Sequence, residues 1–182
     1  MTKTAKGLPK IRRGRALAPL VALLVQGCAQ PPVIAAVEQL DLERFMGRWY
    51  VIANIPTFIE RDAHNAVETY RRGADGTIAT TFTFRRGGFD GDRVEYRPRG
   101  FVSDESAAVW GMQFVWPVKA EYRILYIAPD YSQTIVGRSK RDYVWLMARS
   151  PAVSPADYER HVERIRAHGY DVTKLTRVPQ RW

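Results

Sequence analysis

Eight short segments, each rich in β-branched and aromatic residues, recur at even spacing between residues 48 and 149, with turn-forming residues between them. Consecutive short strands joined by such turns pair with their neighbours in antiparallel fashion. A meander of this kind closes as a barrel or packs as a sandwich. The predicted strands, A to H in chain order, cover residues 48–55, 65–72, 77–86, 93–102, 107–116, 121–128, 131–138 and 143–149.

A single helix is predicted after strand H. Ser154 is a good N-cap residue, and Gly169 is expected to end the helix. Because its apolar side chains repeat at helical spacing, the helix should pack one stripe against the outside of the sheet. That stripe consists of Tyr158, Val162 and Ile165. Residues 170–175 are predicted to form a short strand, and residues 40–46 a single turn before strand A.

The first 27 residues have the pattern of a targeting signal. They contain six basic residues and no acidic one, followed by the apolar stretch of residues 16–25. That stretch is too short to span a bilayer as a helix, but it fits the apolar region of a signal peptide. We therefore expect residues 1–27 to be a signal peptide.

Cys28 is the only cysteine of the chain, so a disulfide within the chain is impossible. Val25-Gln26-Gly27-Cys28 resembles the lipobox of bacterial lipoproteins, although Gln26 departs from the small or apolar residue usual there. The resemblance implies acylation of Cys28, with residues 28–39 as anchor and tether. Ala29, in place of an Asp, then implies the outer membrane with the protein facing the periplasm. The alternative is a secretory signal with a coincidental cysteine.

The charge of the chain is unevenly distributed. The formal net charge is +9, but residues 28–182 carry 22 Lys and Arg against 19 Asp and Glu, a net charge of only +3. Basic and acidic residues are interspersed there, so the domain lacks the basic surface typical of nucleic-acid binding. The hydrophobic content of 46% is that of a globular domain.

Three separated motifs give the chain a resemblance to the lipocalins, in particular to the bacterial lipoprotein lipocalins related to apolipoprotein D. Gly47-Arg48-Trp49-Tyr50 opens strand A, Pro129-Asp130-Tyr131 lies between strands F and G, and Arg149 ends strand H before the helix. The resemblance covers residues 40–178 and leaves residues 179–182 as a tail. It implies an all-β fold, an eight-stranded antiparallel up-and-down barrel with one C-terminal α-helix packed outside.

Topology predicts which motifs meet. In a meander, the start of strand A, the F–G turn and the end of strand H all lie at one end of the barrel. A guanidinium above an indole ring is a favourable contact of about 0.5–2 kcal/mol. We therefore expect a structural rather than catalytic base formed by Gly47, Trp49, Asp130, Tyr131 and Arg149.

The opposite end then becomes the mouth, with Phe58, Phe89 and Trp116 in its loops. Alternation along the strands sorts the interior side chains, since every second residue faces the same side. The same pattern would serve as the core of a packed sandwich, and only the resemblance favours a cavity. The predicted cavity residues are Val51, Ala53, Ile55, Phe82, Phe84, Trp110, Met112, Phe114, Tyr143, Trp145 and Met147.

The resemblance implies a fatty acid or a lysophospholipid as ligand, without a cofactor or metal. Its head group is expected near Arg85, Arg86 or Arg93, or near Tyr122 or Tyr143. The sequence leaves the oligomeric state open, and a homodimer is possible. A purely structural envelope protein with a filled barrel is another possibility, which a crowded interior would favour.

Catalysis has little support in the sequence, and we expect a binding protein rather than an enzyme. The histidines lack metal-ligand spacing, and no nucleophile elbow or phosphate-binding loop is present. His64, near the mouth, is the one candidate base, whereas His161 and His168 are expected to face solvent. The alternative is a lipocalin-fold enzyme that acts on an isoprenoid or an oxidised lipid, and a polar cluster deep in the barrel would favour it.

Overall fold

The computed structural model describes residues 1–2 and 32–182, so the predicted signal peptide and Cys28 lie outside the described residues. A short helix, α1 (Leu42–Phe45), precedes the sheet, and α2 (Pro155–Ala167) follows its ninth strand. The strands are β1 (Gly47–Ile55), β2 (Ala63–Arg72), β3 (Ile78–Arg86), β4 (Arg93–Tyr96), β5 (Arg99–Val102), β6 (Val109–Val115), β7 (Val118–Ile127), β8 (Gln133–Gly137), β9 (Val144–Ala148) and β10 (Thr176–Arg177).

The sheet closes on itself because β1 pairs with both β2 and β9. All of the pairings are antiparallel, and they join neighbours in the chain apart from this closure, the short β10 on β1 and the pairing of β5 with β3. β4 and β5 both pair with β3 and form one strand interrupted around Pro98. Counted in this way, the molecule is the eight-stranded up-and-down barrel that the sequence predicts.

Helix α2 packs outside the barrel, as predicted. The Ser154 hydroxyl caps it by accepting a hydrogen bond from the Asp157 amide at 3.0 Å. Tyr158 and Ile165 are buried against the outer faces of β1, β8 and β9. Within the described parts of the chain, no helix is long and apolar enough to cross a membrane.

The expectation that His161 faces solvent is wrong. It belongs to the buried stripe of α2, and only 3% of its surface is exposed. Its Nε2 lies 2.6 Å from Oε1 of Gln133, and its ring packs on Tyr126. Burial, assisted by Arg164, lowers the pKa of His161 from 6.5 to about 4. The side chain is therefore neutral at pH 7.

The C-terminal segment differs from its prediction. Residues 170–175 contain a 3₁₀-helix, Val172–Lys174, because Asp171 caps that turn through the Thr173 amide. The strand comes later, as β10, and pairs with β1. The Val178 amide continues this edge with a bond to the Ile52 carbonyl at 2.9 Å.

A β-bulge in β1 corrects two predicted cavity residues, Ala53 and Ile55. Val51 pairs with Met147 but Ala53 pairs with Leu146, so one residue of β1 is unmatched and the alternation reverses beyond it. Val51 packs in the cluster inside the barrel. Ala53 and Ile55 instead pack in the outer cluster beneath α2.

Arg149 joins several segments at the end of the barrel where β1 begins. Its Nη2 donates to the carbonyls of Arg44, Phe45 and Met46 at 2.7, 3.1 and 2.8 Å. Its Nη1 donates to the Arg48 carbonyl at 2.8 Å, and its Nε lies 3.4 Å from the Tyr131 carbonyl oxygen.

Trp49 lies directly under this guanidinium. Its ring centroid is 3.7 Å from Cζ of Arg149, and its Nε1 donates to the Phe45 carbonyl at 2.8 Å. Trp49 is fully buried. Gly47 adopts a φ of +95°, and a Cβ there would lie 3.3 Å from Nη1 of Arg149. Glycine therefore satisfies both the backbone conformation and the close approach of the guanidinium.

The turn between β7 and β8 completes this end. The carboxylate of Asp130 accepts hydrogen bonds from the hydroxyl and the amide of Ser132 at 2.7 and 3.0 Å, which lower the pKa of Asp130. The Tyr131 hydroxyl accepts a bond from the Asp41 amide at 2.8 Å, and Arg44 lies 4.1 Å above the Tyr131 ring. The structure thus brings all five predicted base residues to one end of the barrel.

We predict that Trp49→Ala lowers the free energy of unfolding by about 3–5 kcal/mol, because it leaves a cavity under Arg149. Trp116→Ala is the matched control: Trp116 is 82% exposed, so its loss should change stability by less than about 0.5 kcal/mol. Urea unfolding measures both variants. An unchanged unfolding curve for Trp49→Ala, with ligand binding lost, would instead assign Trp49 to the ligand site.

A second prediction concerns His161. Its folded-state pKa of about 4 lies below the ordinary 6.5, so the unfolded chain binds the proton more readily in this pH window. Stability should therefore fall as the pH drops from about 6.5 towards 4. His161→Gln cannot take up this proton and should lose less stability between about pH 7 and pH 4.5. Equal losses in urea unfolding would contradict this account.

Candidate ligand-binding cavity

The end of the barrel opposite Arg149 opens into a cavity of about 550 Å³. Its walls come from β2, β3, β6, β7 and β9 and from the loop between β1 and β2. Small-molecule sites in proteins commonly measure roughly 300–1,000 Å³. The barrel is therefore neither a filled core nor a narrow cleft, and a ligand of moderate size fits inside it.

Five of the predicted cavity residues line this space, and all are apolar or aromatic: Phe82, Met112, Phe114, Tyr143 and Trp145. Four others lie inside the barrel but not on the cavity wall, namely Val51, Phe84, Trp110 and Met147. Alternation identifies the face of each strand, but it does not tell how deep along the strand the cavity extends.

An aromatic floor fills the closed end of the barrel; it consists of Phe45, Trp49, Tyr70 and Trp110, and none of these side chains lines the cavity. Phe45 contacts the other three rings at centroid distances of 5.1–5.6 Å. All four side chains are almost fully buried. Trp110 stacks at 5.2 Å on Tyr122, which does line the cavity.

The three predicted mouth residues have different positions. Phe58 lines the cavity and is 78% exposed. Phe89 does not line the cavity and packs instead on His64 at 5.0 Å and under Arg181. Trp116 projects from the β6–β7 hairpin beside the opening without lining it. Other apolar residues near the opening that line the cavity are Ile59, Val115 and Val118.

The cations at the cavity are not those expected for a head group. Arg85, Arg86 and Arg93 are exposed and do not line the wall. Arg97 and Arg138 line it instead. Arg97 forms an ion pair with Glu95 at 2.7 Å, and Arg138 forms one with Asp142 at 3.1 Å.

Two carboxyl groups lie inside the barrel, and neither is among the site residues predicted from the sequence. Glu60 folds inward from the β1–β2 loop and accepts hydrogen bonds from Nε1 of Trp145 at 3.0 Å and from the Thr57 amide at 2.9 Å. Burial raises its pKa. A loop acid is normally exposed, so nothing in the local sequence indicates that Glu60 turns inward.

Glu68 lies deeper, on β2 between the interior residues Ala66 and Tyr70. The alternation along β2 could therefore have predicted from the sequence that the Glu68 side chain points into the barrel. Burial, and then the charge of Glu60, raise the pKa of Glu68 to about 8. Within the described part of the chain, its Oε2 has no hydrogen-bond partner. Glu68 is therefore largely protonated at neutral pH.

Tyr122 and Tyr70 extend the polar character of this region. Their hydroxyl oxygens are 2.5 Å apart, and burial raises the pKa of Tyr122 well above its ordinary value.

His64, the candidate base predicted from the sequence, does not line the cavity. Residues 32–182 contain no cluster of three or more His, Cys, Asp or Glu side chains able to hold a metal ion. The interior can thus offer apolar contacts and a few hydrogen-bonding groups.

Comparison with known proteins agrees with this architecture. A family model described as a lipocalin-like domain matches residues 40–180. Temperature-induced lipocalin-1 of Arabidopsis thaliana is 32% identical over 151 residues, which are 79% of this chain and 81% of that protein. The outer membrane lipoprotein Blc of Citrobacter freundii is 27% identical over 166 residues, which are 87% of this chain and 92% of Blc.

The fold is also found among solved structures at low sequence identity. The major allergen Per a 4 from cockroaches superimposes with a TM-score of 0.63 at 16% identity, covering 84% of this chain and 96% of that one. The family model spans most of the chain, and the motifs at Trp49 and Arg149 occupy the closed end of the barrel. The chain belongs to the lipocalin family.

Proposed function

We propose that this protein binds a single-chain lipid, a fatty acid or a lysophospholipid, inside the barrel and stores or transports it in the cell envelope. The observation that carries this proposal is the open cavity of about 550 Å³ with apolar walls. Each CH₂ group that the cavity removes from water contributes about 0.8 kcal/mol before ordering costs. A lipid chain therefore supplies the kind of surface that these walls can bury.

The chemistry of the two ends of the cavity supports entry of the lipid tail first. The aromatic floor and the carboxyls of Glu60 and Glu68 lie inside, where a buried anionic head group would be costly. Arg97 and Arg138 lie at the opening and can interact with a carboxylate or phosphate.

We predict saturable quenching of tryptophan emission when palmitic acid or a lysophospholipid is titrated into the purified protein. Trp145 lines the cavity, so Trp145→Phe should remove most of this quenching. Trp182→Phe is the matched control, because Trp182 packs on Tyr50 outside the barrel at 5.3 Å. Absence of saturable binding by any single-chain lipid would overturn the proposal.

The proposal includes an acyl anchor at Cys28 and a location at the outer membrane, facing the periplasm. The lipobox-like sequence supports the anchor, and the similarity to Blc, an outer membrane lipoprotein, supports the location. We predict that Cys28→Ala abolishes incorporation of labelled palmitate and releases the protein from the membrane fraction, because a single cysteine carries the acyl chains. Undiminished labelling of this variant would contradict the anchor.

The buried carboxyls favour a second candidate function, a lipocalin-fold enzyme that acts on an isoprenoid or an oxidised lipid. Glu68, with a pKa of about 8, retains a proton at neutral pH that a general acid could donate. Mass spectrometry of the lipid after incubation with the protein distinguishes the two functions. A carrier returns the lipid unchanged, whereas an enzyme returns a product whose formation depends on Glu68.

A further inference from the structure

The apolar rim of the cavity is unusually exposed. The hairpin between β6 and β7 presents consecutive apolar side chains to solvent, and Phe58 faces solvent from the neighbouring loop. Trp116 is 82% exposed and Val115 is 71% exposed. Large exposed apolar groups clustered in this way mark an interaction surface. We call this surface the rim; it consists of Phe58, Phe114, Val115, Trp116 and Val118.

The rim is continuous with the cavity. Phe58, Phe114, Val115 and Val118 line the cavity wall and also face solvent. An apolar molecule could therefore pass from the rim into the barrel without crossing a polar boundary. The segment from residue 114 to residue 119 contains no acidic residue, and its one charged residue is Lys119.

The first residues of the described segment 32–182 lie at the same end of the barrel as this rim. The Ile34 amide donates to Oγ of Ser139 at 3.2 Å, and Nη1 of Arg141 donates to the Pro32 carbonyl at 3.0 Å. Ser139 and Arg141 belong to the loop between β8 and β9, whose flanking residues Arg138 and Tyr143 line the cavity opening.

The distance from this point to the proposed anchor is limited by the chain itself. Three residues lie between Cys28 and Pro32, and the four residue steps from Cys28 to Pro32 span at most about 14 Å when fully extended. A lipid anchor at Cys28 would thus hold the membrane within a short distance of the loop between β8 and β9. If residue 32 lay instead at the closed end of the barrel, the chain between it and Cys28 would have to run along the whole length of a strand to reach the same place.

We propose that the open end of the barrel faces the membrane surface and that the rim inserts into the outer part of a phospholipid bilayer. This inference rests on the proposed acyl anchor for its orientation, while the exposed rim supports it independently. Trp and Phe side chains favour the membrane interface, where their apolar rings leave water without losing polar contacts. The lipid ligand then reaches the cavity directly from the bilayer.

The test uses the purified full chain, reconstituted in phosphatidylethanolamine and phosphatidylglycerol vesicles whose acyl chains carry bromine. Bromine quenches only those tryptophans that enter the acyl region. We expect quenching of the wild-type emission, and we expect Trp116→Phe to lose most of it. Trp182→Phe should keep it, since that residue lies on the side of the barrel against Tyr50.

A double variant, Val115→Asp with Val118→Asp, places two charges on the rim and should reduce the quenching severalfold, because charged groups resist burial in the bilayer. Both positions are exposed, so the variant should fold. Quenching that persists in Trp116→Phe, or in the double variant, would overturn the proposal. If palmitic acid still binds in solution, the lipid-binding function stands and only the membrane-facing orientation falls.

Discussion

The closed end of the barrel depends on a guanidinium that has no carboxylate partner in the described chain. Arg149 interacts with five backbone carbonyls, from residues 44, 45, 46, 48 and 131, and with the face of the Trp49 ring. Burial lowers its pKa to about 10, which leaves the group charged at neutral pH. Charge-assisted bonds of this kind are about twice as strong as neutral ones. One side chain therefore fixes α1, the start of β1 and the β7–β8 turn together.

This closure gives the barrel two chemically different ends. Phe45, Trp49, Tyr70 and Trp110 pack together at one end, where all four are buried. At the other end the loops carry exposed apolar residues, and the cavity remains open. Because the cavity opens at this end, the chemistry of the two ends would orient the proposed lipid. Burial in an apolar interior disfavours an anion inside, and the arginines at the opening favour one there.

The positions of the interior and buried side chains show where predictions from the sequence pattern succeed and where they fail. Alternation placed Phe82, Met112, Phe114, Tyr143 and Trp145 on the cavity wall, where they lie. It failed for Ala53 and Ile55, because a single unmatched residue in β1 reverses the two faces of the strand. It also could not indicate Glu60, which reaches the interior from a loop. For His161, the exposed face expected from its polarity was overruled by a hydrogen bond to Gln133 within a packed interface.

The sequence by itself determined the eight-stranded meander, the C-terminal helix and the meeting of Gly47, Trp49, Asp130, Tyr131 and Arg149 at one end. Period-two patterns, turn residues and caps are local signals, and the order of strands in a meander follows directly from them. Only the tertiary structure decided the depth of the cavity, the inward position of Glu60, the arginines at the opening and the position of residues 32–34 beside the loop between β8 and β9. Each of these depends on contacts between residues far apart in the chain, and no local pattern of side chains encodes such contacts.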